Sequence, residues 1–478
     1  MSVFSETLRN IIQEHNIVIT RLAQSAELDR TTLQHILSGK RMPNREQVDK
    51  LLYVITVPPR EKTQLLQAYE ITQHGTDKFR SRKKVKEIIE KLTSVPASRL
   101  NLPSFSPVSP ADPEGNAIEA LYGTPAINNV ITRILHEEEE EVVFFMPPGF
   151  TFFYDSLLAR FAACPTLSAT CLLSLPNAKS STMPNLEYLE DLIPLFALAK
   201  QDFQAHYIYD DNFSYGISAT PLPYFVFTSR YILPLSAEQD FAILTNSESA
   251  MQIYRSICQN FISLSRPLYT TPTLPELIAA YSQQQFLEHP LCFIENQPNF
   301  QWYLTEHILQ KCFIPESEEY ASLISQYKEF LAKLRRVIQP FGVFGQEGLN
   351  LFVDTGRIAI WPPALTRPLD VSDRTTCLQH MIRDVESDTF PYRLVNSAKF
   401  TIPHHAISIG IKGNSLLISC FDYVTPNLKN ICLTEEFILD AFTDFFQQLP
   451  NSDLVHSKEE TLKVLNAALE KLKGKSGA

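Results

Sequence analysis

The chain has 478 residues, of which 44% are hydrophobic and 20% charged, with only 14 glycines. That apolar share fills real cores over two to four domains at roughly 100–200 residues each, which excludes extensive disorder. The net charge of −11 is uneven: residues 1–100 hold 17 Lys and Arg against 11 Asp and Glu, and the remainder holds 25 against 42.

A basic front on an acidic body suits a polyanion-binding head. The eight cysteines form no C-x-x-C pair and mostly sit in apolar runs such as Leu416 to Cys420, so they read as reduced core residues. No basic-then-apolar leader opens the chain, and no run of about 18 apolar residues occurs in it. A cytoplasmic protein without membrane association is expected.

Residues 4–72 read as five short amphipathic helices, with apolar residues at three- and four-residue steps. Leu8, Ile11 and Ile12 mark the first, Leu22 and Ala23 the second, and Leu33, Ile36 and Leu37 the third. Val48, Leu51 and Leu52 mark the fourth; Leu65, Leu66 and Tyr69 mark the fifth, after Pro58-Pro59. A further helix over 77–93 carries a basic turn, Lys78 to Lys86, and an apolar stripe of Val85, Ile88, Ile89 and Leu92. It reads as a solvated connector, as a dimerisation helix using the stripe, or as a source of extra phosphate contacts. Residues 94–115 are proline- and serine-rich and read as a linker.

Beyond the linker, helices alternate with strands, the pattern of an α/β or α+β body. After a helix ending in the acid run Glu137–Glu141, strands are expected at Val142–Met146, Ala169–Leu175 and Phe203–Tyr209. Helices Phe152–Ala163 and Leu186–Lys200 separate them. Strands near Phe225–Phe227, Tyr231–Leu235 and Phe241–Leu244 follow, then a long helix, Glu248–Leu264. The second half repeats part of this order. Helix 372–386 precedes strands near Tyr392–Val395, Ile407–Ile411, Leu416–Phe421 and Ile431–Leu433, then helix Glu435–Leu449. A divergent tandem duplication offset by roughly 185 residues would explain the recurrence. The expected division is therefore a head at 1–75, connector and linker at 76–115, and a first α/β copy at 116–270. A helical bridge at 271–340 and a second copy at 341–478 complete it, with a last helix at 457–473.

The segment Thr20 to Pro43 carries the most specific signal. Leu22 and Ala23 are apolar and small enough for two helices to cross closely, and Leu28 plugs the turn. Asp29 is a good N-cap for the next helix, its carboxylate accepting from Thr31 or Thr32. Leu33 and Ile36 anchor that helix, leaving Arg30, Thr31, Gln34 and His35 outward, and Gly39 ends it. This stretch resembles the helix-turn-helix of the Cro/C1-type (XRE) family of transcription regulators. The resemblance covers about 70 residues and is specific over about 25 of them. It implies that Arg30, Thr31, His35 and, as a fourth, Gln34 read base edges in the major groove, and that Lys40 and Arg41 contact phosphate. Two positions depart from the family: Glu27 stands where glycine is usual, and Val18-Ile19 replaces the polar start of the second helix.

Chemical signatures are sparse. His136-Glu137 opens like H-E-x-x-H, but position 140 is Glu140. No small-residue–glycine scissile bond of a self-cleaving repressor occurs. Gly342, Gly345 and Gly348 lack a following Lys-Ser/Thr and read as a plain loop. His404-His405 offers one metal ligand at most if it lies on a strand. The aromatic stretches Phe150–Tyr154, Tyr207–Tyr215 and Tyr224–Phe227 read as core packing, with an apolar effector pocket as the alternative. The body's element order is vaguely similar to phospholipase-D-like folds. That resemblance implies an H-x-K-x-x-x-x-D motif in each copy, but His456-Ser457-Lys458 is followed by Lys463 where Asp is required.

These features together predict a cytoplasmic, sequence-specific regulator of transcription that binds double-stranded DNA. It is expected to act as a homodimer, its body dimerising and answering a small-molecule or protein effector. No metal, cofactor or catalytic activity is expected. A DNA-tethered interaction scaffold of antitoxin or phage-regulator type, or a DNA-tethered enzyme, is the alternative.

Overall fold

The computed structural model describes residues 2–94, 118–164, 166–177, 183–198, 203–210, 221–281, 291–312, 325, 329, 340–359, 366–404, 407–422 and 427–476. The expected linker, apart from Ser94, and His405 lie outside them. Among the described residues there are 16 α-helices and 15 strands in two mixed sheets. The chain divides into two compact units, 1–83 and 84–478.

The first unit is helical: α1 (Val3–Glu14), α2 (Ile19–Ser25), α3 (Arg30–Leu37), α4 (Arg45–Val54), α5 (Pro59–His74) and the start of α6 (Thr76–Lys91). The apolar faces expected from the sequence meet in one core, where Phe4, Leu8, Ala23, Leu33, Ile36, Val48 and Leu65 are buried together. Phe4 ties α1 to α5: its ring meets Tyr69 edge-on at 5.7 Å, and its N–H donates to Thr72 Oγ1 at 2.9 Å.

The first three helices end by one device. Asn16, Glu27 and Gly39 each take a left-handed backbone, with φ of 51°, 54° and 73°. The next N–H in each case reaches back five residues, Ile17 to Ile12, Leu28 to Ala23 and Lys40 to His35, all at 2.9 Å. This is the Schellman arrangement, which satisfies carbonyls that the helix leaves bare. Glu27 therefore adopts the left-handed conformation for which glycine is the unstrained residue.

The division between the units falls inside α6, eight residues beyond the expected head boundary at 75. Val85, Ile88, Ile89 and Leu92 are buried in the large core of the second unit. The stripe that the sequence offers for dimerisation is thus spent within the chain. Lys84 bonds Glu190 at 2.8 Å, and the Glu90 carboxylate accepts from the Thr401 N–H at 3.1 Å.

The second unit holds two sheets. In the first, β2 (Glu141–Phe145), β3 (Ser168–Leu175) and β4 (Phe203–Tyr209) run parallel. β5 (Tyr224–Phe227), β6 (Ile232–Leu235) and β7 (Phe241–Thr245) add antiparallel on the other side of β2. β1 (Ile118–Tyr122) pairs with β7, and β8 (Arg266–Pro267) with β4, giving the order β1-β7-β6-β5-β2-β3-β4-β8. In the second, β10 (Leu291–Glu295), β11 (Phe341–Phe344) and β12 (Tyr392–Leu394) run parallel. β13 (Ile407–Lys412), β14 (Ser415–Asp422) and β15 (Asn427–Leu433) add antiparallel on the other side of β10, and β9 (Tyr269–Thr270) closes that edge. Its order, β12-β11-β10-β13-β14-β15-β9, is that of the first sheet strand for strand, without a counterpart of β8. The expected helical bridge at 271–340 needs correction. It contains β10, the central strand of the second sheet, four apolar residues and Glu295, all buried.

Parallel strands buried on both faces read as continuous apolar runs, as β2 and β10 do. Along the second sheet the side chains alternate between two cores. Cys292, Ile294, Ile409 and Ile418 face the core shared with the first sheet, and Phe293 and Leu417 face an outer core. Helix α14 (Val371–Glu386) and helix α16 (Lys458–Ser476) supply Cys377, Met381, Leu465 and Leu469 to that outer core. Helix α16 continues past the expected end at 473.

The strands with one parallel and one antiparallel neighbour, β2 and β10, run into related turns: Pro148-Gly149-Phe150-Thr151-Phe152-Phe153 after β2, and Pro298-Asn299-Phe300-Gln301-Trp302-Tyr303 after β10. Phe150, Phe153, Phe300 and Tyr303 are all buried. Gly342, Gly345 and Gly348 belong to a strand–helix junction rather than a plain loop. Gly342 lies in β11, Gly345 caps helix α13 (Gln346–Thr355), and Gly348 lies in its first turn.

Candidate nucleic-acid interface

Helix α3 is built to hold one face inward and offer the other. Leu33, Ile36 and Leu37 are buried, whereas Arg30, Thr31, Gln34 and His35 are exposed. Its start is fixed by Asp29, whose carboxylate accepts from the Thr31 N–H at 2.7 Å. The Thr31 hydroxyl, followed by the backbone N–H groups of Thr31 and Thr32, holds the Asp29 carboxyl below the ordinary aspartate range. Its end is fixed by Gly39 and by two side chains from α1: Ser5 Oγ donates to the Ile36 carbonyl at 2.7 Å, and Arg9 Nη2 to the Leu37 carbonyl at 2.6 Å.

Lys40 and Arg41 follow at once, both exposed, their N–H groups donating to the His35 carbonyl at 2.9 and 3.2 Å. Arg30, Lys40 and Arg41 make no ion pair among the described residues, so three cations face solvent beside the outer face of α3. By contrast, Lys50 is engaged by Glu27 at 3.1 Å and Glu46 at 3.2 Å, and Arg45 by Asp49 at 3.1 Å. The residues singled out in the sequence, Arg30, Thr31, Gln34, His35, Lys40 and Arg41, thus share one exposed element and the turn after it.

Ser5 and Arg9 were not visible as site residues, because their partners stand 31 and 28 positions away. Helix α2 begins without a side-chain cap: Val18 is extended and 63% exposed. A Val18→Ser substitution should therefore stabilise the first unit by about 0.5–1 kcal/mol, read as a higher urea midpoint of the isolated Ser2–Lys83 segment at unchanged slope. The polar residue expected at the start of this helix is absent, and Val18-Ile19 stand in its place.

Elsewhere, Glu14, His15 and Glu61 come within 4.8 Å of one another. The His15–Glu61 pair at 2.7 Å accounts for them as a surface tie between α1 and α5. His136 is exposed at the end of α7 (Thr124–Glu137), and Glu138 is 2% exposed. In the second unit Phe153, Tyr154, Tyr207 and Phe225 belong to the packed core. A small recess at the end of β10 is lined by Glu295, Gln297, Asn299, Phe300 and Ile407. Most of its polar groups are already engaged: Ser408 Oγ donates to Glu295 at 2.7 Å, and Gln297 bonds the backbone of Arg357 and Ala359. Burial pushes the Glu295 carboxyl up, against the opposing pull of Lys412, Ser408 and Asn299.

No family model matches the chain, and no curated protein does. Solved structures do match at low similarity. The phospholipase D family member Nuc from Salmonella typhimurium is 5% identical over 32% of this chain and 98% of its own, with a TM-score of 0.24. Phosphatidylserine synthase from Haemophilus influenzae is 9% identical over 75% of this chain and 93% of its own, with a TM-score of 0.25. TrmBL2, an archaeal chromatin protein with a novel mode of DNA binding, is 11% identical over 54% and 97%, with a TM-score of 0.23. The phospholipase-D-like similarity noted for the body thus recurs among these matches. The expectation of a non-enzymatic chain is withdrawn, because the matches include a phospholipase D family member and a synthase. At these TM-scores none of them assigns a reaction, a substrate or a ligand to this chain.

Proposed function

We propose that the first unit is a helix-turn-helix module of Cro/C1 (XRE) type and that the protein regulates transcription by binding operator DNA. The observation that carries this reading is α3. Its inner face is buried, both its ends are fixed, and its outer face carries Arg30, Thr31, Gln34 and His35 beside the unpaired Lys40 and Arg41. A helix held in this way enters the major groove as a rigid body. Arg30 has the reach and fork to bond a guanine edge, and Lys40 and Arg41 set orientation through phosphate. The matching strand order of the two sheets supports a divergent tandem duplication of the body. A dimer would present two heads to half-sites about 34 Å apart. Such a regulator acts in the cytoplasm.

The test selects a site for the full chain from random duplexes and then compares two variants on it. Arg30→Ala should lose roughly 10- to 100-fold in specific affinity and relax preference at one base pair. Lys40→Ala should weaken specific and random duplexes alike and lower the salt slope by about one. Equal loss on specific and random DNA in Arg30→Ala would remove its base-reading role. Failure of the full chain to bind any duplex at low ionic strength would remove the whole reading.

A further inference from the structure

The recess at the end of β10 lies where the topology of the second sheet favours a ligand. β10 has a parallel neighbour, β11, and an antiparallel one, β13. In open sheets the crevice beyond the carboxyl end of such a strand is the usual binding place. Glu295, the last residue of β10, and Asn299, in the turn that follows, both line it. The space between the lining residues is about 10 Å³, room for one group the size of a water molecule.

These two side chains are only half satisfied. Glu295 is 5% exposed, and its bonds from Ser408 Oγ at 2.7 Å and Asn299 Nδ2 at 3.4 Å both end on Oε1. Its Oε2 accepts from no described residue, and Lys412 pulls on the carboxylate without closing to an ion pair with it. Asn299 Oδ1 is buried and also lacks a partner among the described residues. A carboxylate held out of water is strongly unfavourable until a cation or a proton joins it.

The fold itself does not require this polarity. The matching turns, Pro148-Gly149-Phe150 and Pro298-Asn299-Phe300, equate Asn299 with Gly149 and Glu295 with Phe145. The cross-strand partner of Glu295 is Ser408, and that of Phe145 is Phe225. An acid, an amide and a hydroxyl thus stand where the first sheet has two buried rings and a glycine.

We propose that the recess binds one monovalent cation of ammonium size through Glu295 Oε2 and Asn299 Oδ1. Both atoms accept only, so the occupant supplies the positive charge, and the carboxylate supplies the counter-charge that burial demands. A calcium ion needs six to eight oxygens, more than this recess offers. Two sources share the chemistry: a free K⁺ or NH₄⁺ ion, and the primary amine of a small ligand whose body rests on Phe300 and Ile407.

This inference goes beyond the operator-binding reading and does not rest on it. Thermal unfolding of the full chain is followed in tetramethylammonium chloride, with K⁺, NH₄⁺ or methylammonium replacing it at constant ionic strength. Tetramethylammonium is too large for the recess and donates no hydrogen bond. At about 100-fold over its dissociation constant, a bound cation should raise the melting temperature of the second unit by roughly 2–4 °C, and the rise should saturate. A rise with K⁺ identifies a free ion; a rise with NH₄⁺ or methylammonium but not K⁺ identifies an amine head group. Glu295→Gln should abolish the rise, yet melt no lower than the wild type in tetramethylammonium, since a neutral amide needs no counter-charge. Asn299→Ala should raise the cation dissociation constant about tenfold and serves as the test if Glu295→Gln does not fold. A wild type indifferent to all three cations, or a rise unchanged in the folded variants, would overturn the assignment. Duplex binding is read separately through α3, so its loss would sink the operator reading and leave the cation result standing.

Discussion

A Glu138→Ala variant should lose about 3 kcal/mol from the stability of the second unit, measured by urea unfolding. Glu138 sits in the acid run that ends α7, where a solvated face would be the ordinary reading, yet it is one of the most buried carboxylates of the chain. One of its oxygens accepts from the N–H groups of Glu139, Glu140 and Glu141 at 3.1, 2.8 and 3.3 Å. The other accepts from the N–H and the hydroxyl of Ser229, both at 2.7 Å. The side chain thus joins the turn before β2 to the turn between β5 and β6. Burial alone would raise its pKa, but the Ser229 hydroxyl and the N–H groups outweigh that and hold it below the ordinary glutamate value. A lowered folded pKa adds stability above the unfolded value, near pH 4.5, and that contribution fades as pH falls through the folded value. Acid titration of the wild type should show this loss below pH 4.5, and Glu138→Ala should flatten the curve over the same range. An unchanged curve would mean that the carboxylate is not the group that joins the two turns.

The second large effect is expected at Gly348. A Cβ built there falls 2.3 Å from the backbone carbon and oxygen of Asn296 and 2.4 Å from the Gln297 nitrogen. These are main-chain atoms at the end of the central strand of the second sheet, and they cannot swing aside as a side chain does. The same approach lets the Gly348 N–H donate to Asn296 Oδ1 at 2.7 Å, while the Gly345 N–H reaches the Asn296 carbonyl at 2.8 Å. Gly348→Ala should therefore cost about 3 kcal/mol, because overpacking forces the helix from the strand. Gly474→Ala, where nothing lies within 4 Å, should be neutral or stabilising by up to about 1 kcal/mol. Equal behaviour of the two variants in the same denaturant series would refute the close-approach account.

Strong local signals were legible in the sequence. The five head helices, the N-cap at Asp29, the stop at Gly39 and strands β2 to β7 of the first sheet follow from spacing and turn residues, whereas β1 and β8 were not visible. Signals that depend on distant partners were not. Leu291–Ile294 is a four-residue apolar run between Pro290 and Glu295, and periodicity alone cannot tell such a run from a piece of buried helix. The correspondence of the two sheets was visible only in its later part. From β4 and β12 onward the matching strands stand 183 to 189 residues apart, whereas β2 and β10 stand 150 apart, so no single offset aligns them. The shared Pro-(Gly/Asn)-Phe turns fall at the smaller offset. Ser5, Arg9 and Glu138 owe their roles to bonds made across 22 to 91 positions, about which residue type is silent.

The outer core of the second sheet has a consequence for how the chain matures. The strands it covers begin at residue 291, but part of its cover, Leu465, Ala468, Leu469 and Leu472, arrives with α16. During synthesis the last strand of the sheet ends at residue 433, and part of that side stays bare until Leu472, 39 residues further on, has left the ribosome, an interval in which its phenylalanines can meet those of a neighbouring nascent chain.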